Sequence, residues 1–309
     1  MIITFENNSI ESYQEMLKQL NVQTLEVLQL SNGLYKGKTS CFLLPNIRLS
    51  IQSKNECTIL HKGKFSDDEF VIPLRIEGPL HIINGVCVHI NALNIIGPGE
   101  YVYTRSYCAR TIATIGVSKN HLISYLGEEK VSQLLDGLTL IRDGKIEFCK
   151  MKRIKIELYR YIIQIFHQRE VFSQQSLIDI EEQLSVMICQ LLEINSNKLI
   201  PQPCFNHRLV IVQRAINYID SEPNVNIPIP RILDFSHCSL RSLEYAFNSI
   251  IGISPQRYLK IRRMHLIRRE LIHRQQCTIK EVVSKYGIVN IGRFSHDFYT
   301  LFGQYPKEI

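Results

Sequence analysis

FNSIIGISP (residues 247–255) returns near the end of the chain as FYTLFGQYP (residues 298–306), with Phe, Gly and Pro at the same places, 51 residues apart. The same offset carries Ile232 onto Val283, Ser239 onto Asn290, Leu240 onto Ile291 and Leu243 onto Phe294. A self-similarity of this kind marks a duplicated supersecondary unit. Each copy is punctuated as helix, tight turn, helix. In the second copy Thr278-Ile-Lys-Glu281 has the form of a capping box, in which the Thr oxygen takes the third amide and Glu returns to the Thr amide. Gly287 supplies the residue of positive φ that ends such a helix, and Asn290 caps the next one. That helix is predicted to bury Ile291, Phe294, Phe298 and Leu301. In the first copy the leading helix runs over about 228–235, with Pro230 tolerated in its opening turn. Ser239 is the N-cap of the following helix, and Leu240, Leu243 and Phe247 form its stripe. Between the copies, Ser254-Pro255 is an N-cap with Pro at the first helical position. It opens a helix through about His273, with Tyr258, Ile261, Met264 or His265, and Ile267 or Arg268 along its faces.

The stripes decide which residues face outward. On the first second-helix these are Arg241, Ser242, Glu244, Tyr245 and Asn248; on the second they are Gly292, Arg293, Ser295 and His296. A helix held rigidly from behind presents its N-terminal outer face to a major groove of double-stranded DNA. Arg matches guanine O6 and N7, and Glu accepts from cytosine N4. Gly292 permits close approach, and Tyr245 and His296 are equivalent under the repeat. The caps Ser239 and Asn290 and the first-turn Ile291 complete the candidate DNA-binding set. The connecting helix would span ~28 Å at ~1.5 Å per residue, and ~34 Å separates successive major grooves on one face of the duplex. Its Arg257, Lys260, Arg262 and Arg263 are the phosphate-contact candidates, each weighed against plain surface charge; Arg268, Arg269 and Arg274 are expected in solvent.

Charge follows the same division. Residues 207–309 hold 15 Lys and Arg against 8 Asp and Glu, whereas residues 1–206 hold 21 of each. The whole net charge of +7 therefore sits in the last third, and eleven of its cations are Arg. Such asymmetry points to a polyanionic partner for one domain.

The chain of 309 residues has room for about two domains. Residues 1–20 read as one amphipathic helix, with Ile10, Tyr13, Met16, Leu17 and Leu20 at helical spacing. From about 22 to 118, short runs rich in β-branched and aromatic residues (VQTLEVLQL, CFLL, RLSIQ, FVIPLRI, LHII, VCVHI, YVYT, TIATIGV) alternate with turn signals. Asn84-Gly85 is a two-residue hairpin turn. The pattern predicts an antiparallel barrel or sandwich. Residues 150–195 read as two helices, with stripes at Ile154, Leu158, Tyr161 and Ile165 and at Leu177, Ile180, Leu184, Met187 and Leu191. The second stripe either packs on its own β-domain or forms a dimer seam; it is shorter than a coiled coil requires. Residues 195–207 are the linker candidate. The fold class is α+β, divided as a β-rich regulatory domain (1–149), a helical linker or dimerisation segment (150–195) and a double helix-turn-helix domain (207–309).

No run approaches the ~18 apolar residues of a membrane span, and the N-terminus has no secretion signal, so a cytoplasmic protein is expected. The nine scattered cysteines form no C-x-x-C and argue against disulfides and structural zinc. His81 and His89 are eight apart and His61 and His121 are isolated, which is poor metal-ligand spacing. No nucleophile–base set stands out. No metal, cofactor or catalytic residue is expected.

SLRSLEYAFNSIIGISPQRYLKIRRMHLIRREL and TIKEVVSKYGIVNIGRFSHDFYTLFGQYP resemble the AraC/XylS family of bacterial transcription regulators, over about residues 207–309. The resemblance implies promoter binding with one monomer reading two successive grooves, usually activation through RNA polymerase. By motif it places base readers at Arg241, Glu244, Tyr245, Ile291, Gly292 and His296, although the spacing of Ile291 assigns it to the core. Two departures, Ile288 where the family has Phe and Ser236-His237 where the first turn has Gly, are expected to loosen the turns. The family's β-rich domain is often a cupin-like barrel that senses a small molecule or mediates homodimerisation, so a small-molecule effector is implied for the N-terminal region; a competing reading is a partner-switched regulator whose N-terminal domain binds a protein or lipid and not a polar metabolite. The alternative is a cupin-type metal enzyme fused to a DNA-binding tail.

Overall fold

The computed structural model describes residues 2–20, 25–78, 81–88, 93–135, 145–168, 171–193, 203–222, 226–273 and 278–309. His89, Arg274 and residues 195–202 of the linker candidate lie outside these. The N-terminal half is two five-stranded antiparallel sheets. One has the order β1 (Ile2–Asn7), β3 (Gly37–Leu43), β4 (Ile47–Lys54), β10 (Arg110–Ser118), β6 (Glu69–Glu77). The other has the order β2 (Glu26–Gln29), β5 (Ile59–Lys64), β9 (Tyr101–Ser106), β7 (His81–Ile83), β8 (Val86–Val88). An isolated Val71–Ile96 bridge joins the first sheet to the segment before β9. The barrel-or-sandwich alternative therefore resolves to a sandwich of two sheets, not a closed barrel.

The alternation of side chains along each strand distributes them over three cores. Val27, Ile59 and Val102 face inward to join α1 (Ile10–Gln19), while their neighbours Leu28, Leu60 and Tyr103 face outward against the C-terminal helices. On the other sheet Val71 faces inward and Ile72 outward, where it meets α2 (Lys119–Leu126), α3 (Glu128–Leu135), α4 (Lys145–His167) and α5 (Gln174–Glu193). Both sheets are thus covered on both faces.

Several expectations are corrected. Residues 1–20 are not one helix: the β-branched run at Ile2–Thr4 lies in a strand paired with β3, and the helix begins only after Ser9, whose hydroxyl accepts the Ser12 amide in a reciprocal capping box. The α5 stripe is no free dimer seam, because Ile180, Leu184, Met187 and Leu191 are buried in the core of their own sandwich. The linker candidate ends early, since α6 (Pro203–Ser221) starts inside it. Strand β5 and the helices α2 and α3 were not anticipated; β5 carries His61, Lys62, Gly63 and Lys64, so its apolar signal is confined to Ile59 and Leu60.

The C-terminal region continues with α7 (Ile229–Ser236), α8 (Leu240–Ile250), α9 (Pro255–His273), α10 (Ile279–Lys285) and α11 (Ile291–Phe302), then a short 3-10 turn at Pro306–Glu308. The connecting helix matches the predicted start and end.

Candidate nucleic-acid interface

Two helix-turn-helix units are built as the repeat requires. On α8 Leu243, Ala246, Phe247 and Ile250 are buried, and on α11 Phe294, Phe298, Leu301 and Phe302. Phe247 meets Tyr258 of α9 edge-on at 5.6 Å, and Phe298 stands between Phe294 and Phe302 at 5.4 and 4.7 Å. The Tyr258 contact locks α8 onto α9 from behind; the three α11 rings lie along one face of their own helix, and that face meets α9 where Phe302 stands edge-on to His265 at 5.0 Å. The caps form as predicted: Ser239 Oγ accepts the Ser242 amide at 3.2 Å, Asn290 Oδ1 accepts the Arg293 amide at 2.9 Å, and Thr278 and Glu281 form the reciprocal box.

The two turns reach the same end by different routes. In the second, Gly287 takes φ +69°, three residues before the Asn290 cap. In the first, His237 takes the left-handed conformation (φ 50°, ψ 49°), two residues before the Ser239 cap. The turn is held by Cys238 N donating to Leu233 O and by Ser236 Oγ donating to Ile232 O at 2.5 Å. The departure from glycine is absorbed as a strained histidine, which costs ~1–3 kcal/mol locally. Ile288 packs half-buried against the core and accommodates the second departure.

The candidate readers fall on two exposed faces. Arg241, Glu244 and Tyr245 are exposed on α8 and Ser242 is half-buried; on α11 Gly292, Arg293 and His296 are exposed and Ser295 half-buried. Ser239 and Asn290 stand exposed at the helix starts, each using its side-chain oxygen as a cap. Ile291 is half-buried and outside the core cluster, so the spacing argument that put it in the core is corrected: a first-turn residue has no preceding turn to cover it. The Arg208 guanidinium of α6 lies 4.2 Å above the Tyr245 ring and restrains it.

The connecting-helix cations separate. Arg257 is exposed. Lys260 pairs with Asp297 of α11 at 2.7 Å. Arg262 is only 12% exposed and pairs with Asp220 at 3.1 Å. Arg263 is half-buried, and burial lowers its pKa. Arg268 and Arg269, expected in solvent, are in fact tied to the sandwich through Glu11 at 2.8 Å and Glu26 at 2.6 Å. Asp220 and Glu26 also hold the buried Lys62 of β5, at 2.5 and 2.8 Å. Burial alone would raise the Glu26 pKa, yet Lys62 and Arg269 hold it down to about 2. Periodicity gave no warning of this network, because its acids lie on the sandwich and on α6, far away in sequence.

Two apolar residues are exposed here, one unforeseen and one against the stripe that placed Leu240 on the buried face of α8. Val289, just before the α11 cap, is 95% exposed, and Leu240, which opens α8, is 47% exposed. The repeat was the available signal, since Leu240 is the mate of Ile291. Elsewhere, His61 is buried against the Tyr13 hydroxyl at 3.0 Å, and His121 meets Ser185 at 2.7 Å. Among the described residues no group of three His, Cys, Asp or Glu is placed to hold a metal ion, and no helix is long and apolar enough to cross a membrane.

Comparison with known proteins agrees with this geometry. Residues 233–309 match the family model of a helix-turn-helix domain. The chain is 28% identical over 100 residues to a probable thc operon regulatory protein of Rhodococcus erythropolis, covering 32% of this chain and 30% of that one. It is 28% identical over 98 residues to the XylDLEGF operon transcriptional activator of Pseudomonas putida, covering 31% and 30%. The matched part therefore spans about a third of these curated relatives. A solved AraC-like transcriptional activator, CuxR, aligns over 87% of this chain and 96% of its own at 12% identity with a TM-score of 0.44. With the repeat, the caps and the two outward faces, the family-model match makes residues 233–309 a helix-turn-helix domain, similar in sequence to those of the two operon regulators.

Proposed function

We propose that this chain is a sequence-specific DNA-binding transcription regulator, an activator working through RNA polymerase at promoter sites. The observation that carries the reading is the pair of equivalent helices, each buried on one face and capped at the end that leads into a groove. Arg241, Glu244 and Tyr245 read bases in one major groove, and Arg293 and His296 in the next. Leu240, Ile291 and Val289 are placed for thymine methyls, Gly292 allows close approach, and Ser242 and Ser295 line the contact. Ser239 and Asn290 fix the helix starts, whose free amides attract phosphate. Arg257 is the best-placed phosphate cation of the connecting helix, with Lys260 able to exchange Asp297 for DNA; Arg262 and Arg263 serve the fold first.

The effector is part of the same proposal. The cavity between the sheets, near Tyr13 and His61, holds only about 80 Å³. The cleft between α1, β2 and α9, lined among others by Glu11, Glu26, Arg269 and His273, holds about 560 Å³ and is of metabolite or lipid-chain size. A homodimer, if formed, does not use the α5 stripe.

The test is selection of duplexes by the purified full chain, followed by binding at several salt concentrations. A two-part site bound with a steep inverse salt dependence is expected, since each neutralised phosphate releases counterions. Absence of any selected site, or a flat salt response, would remove the reading.

A further inference from the structure

The two recognition helices are gripped at their far ends by the sandwich, at positions related by the same 51-residue repeat. Ser249, Ile250 and Gly252 at the end of α8 correspond to Thr300, Leu301 and Gly303 at the end of α11. Against the first set lie the β7–β8 hairpin tip and Arg105 of β9. A Cβ on Gly85 would stand 2.6 Å from Ile250 Cδ1 and 3.3 Å from Ser249 O, and a Cβ on Gly252 would fall within the Arg105 guanidinium. Against the second set lies the segment after β2. Gly33 N donates to Thr300 O at 3.3 Å, Gln29 Nε2 donates to Leu301 O at 2.5 Å, and a Cβ on Gly303 would stand 2.7 Å from Leu34 N.

Both glycines end their helices at positive φ, +85° and +69°, so a left-handed C-cap explains why glycine is there. It does not explain why both caps are met at close range by residues of the other half of the chain, Arg105 and Leu34. The grips are themselves held. Asn84 Oδ1 accepts the Tyr103 amide at 2.7 Å, tying the hairpin tip to β9. Gln29 Nε2 also donates to Ser31 O at 2.9 Å, bracing the loop it reaches from. Arg105 is 5% exposed and rests 4.8 Å from the Tyr107 ring centre. Both grips belong to the same sheet, in which β2 and β7 flank β5 and β9.

From this we infer that the sandwich acts as a spacing gauge: by clamping α8 and α11 at repeat-equivalent ends through Arg105 with the Gly85 tip and through Gln29 with Gly33, it fixes the separation and angle of their reading ends. Gln29 and Arg105 are then specificity-determining positioning residues that never touch DNA. The inference rests on the DNA-binding reading above. One inserted base pair moves the second groove by ~3.4 Å and turns it by ~34°, given ~10–10.5 pairs per turn. A clamped pair of helices cannot follow that displacement; a loosened pair can.

The experiment uses the full chain and its Gln29→Ala/Arg105→Ala double variant. Binding is measured to the selected two-part site and to versions with one base pair added or removed between the parts. Wild type should lose about tenfold or more for either change, as for a mismatched contact. The double variant should show a clearly smaller loss, and restoring Arg105 and Gln29 singly should recover part of it. An unchanged spacing penalty in the double variant overturns the inference, including when its affinity falls uniformly. Hydrogen exchange without DNA provides the independent arm. Amides in the last turns of both α8 and α11 should exchange faster in the double variant, with the first turns unchanged. Unaltered exchange at both last turns overturns the clamp even if no duplex is ever selected, whereas failure to select any duplex bears on the DNA reading alone.

Discussion

Arg241 and Arg293 have the same chemistry and comparable exposure, yet their surroundings differ. Arg241 shares its exposed face with Glu244 and Tyr245, whereas Arg293 lies beside Gly292 and His296. Arg241→Ala should weaken binding to the selected site by ~1–3 kcal/mol and relax the preference at one base. Preference profiles from the same duplex selection check this; an unaltered profile removes Arg241 from the readers. His265 shows the opposite extreme. Its Nε2 lies 3.0 Å from the Gln29 amide and 3.2 Å from the Gln29 carbonyl oxygen. Burial pushes its pKa down to about 4, with Arg269 adding to the effect and Glu11 and Glu26 opposing it. The folded chain therefore keeps His265 neutral where the unfolded chain, near pKa 6.5, already binds a proton. Its contribution is complete above about pH 6.5 and is lost as pH falls toward 4. His61, buried and pushed down to about 3, works in the same direction. Thermal unfolding followed from pH 8 to 4 should be level and then decline, and His265→Gln should flatten part of the decline. A wild-type curve that is level to pH 4 contradicts the burial of both rings.

At the level of single elements, most of what holds the helices in place was legible beforehand. The Thr278–Glu281 box, the Ser239 and Asn290 caps and the start and end of α9 follow from local hydrogen-bond chemistry that involves residues at most four apart. Thr278→Ala leaves the Glu281 amide without its acceptor and the Glu281 carboxylate without the Thr278 hydroxyl, and should cost ~0.5–2 kcal/mol. Chemical denaturation of the full chain measures it, and a change below a few tenths would show that packing alone holds α10. The failures at this scale share a cause. Residues 2–7 alternate too briefly to outweigh the helical spacing that follows, and only pairing with β3 makes them a strand. Strand β5 carries polar residues because its outer face serves the Lys62 ion cluster. The first turn was expected to be loose for want of glycine, but His237 takes the left-handed geometry with backbone hydrogen bonds on both sides.

Across the whole molecule, the sandwich and the helical region share one hydrophobic cluster, in which Leu28, Leu60 and Tyr103 lie with Phe247, Tyr258 and Phe302. The joint is reinforced by ion pairs whose members are largely buried. Arg268 is 4% exposed, donates to Glu11 Oε2 at 2.8 Å and to Gln304 Oε1 at 3.0 Å, and lies 4.8 Å from the Phe302 ring centre. Arg268→Ala strands the Glu11 carboxylate and should destabilise the joint by ~3–5 kcal/mol, the usual penalty for removing one side of a buried pair. Protease sensitivity between the two halves, together with the unfolding midpoint, reads it out. Arg268→Met, which keeps the volume, should recover part of the packing; equal loss in both variants would assign the whole effect to the charge pair.

Repeat spacing, apolar stripes and cap residues were enough to establish that two helix-turn-helix units exist and which faces of their second helices are free. These are properties of neighbours three or four residues apart, and nothing distant has to be known to derive them. Which surface covers the remaining faces was decided only in three dimensions. The α5 stripe found its own sandwich instead of a second copy, Arg268 and Arg269 found acids on other elements instead of solvent, and Arg262, a phosphate candidate, found Asp220. Apolar burial and charge pairing are indifferent to sequence separation, so a one-dimensional pattern shows that a face needs a partner without showing which partner it has.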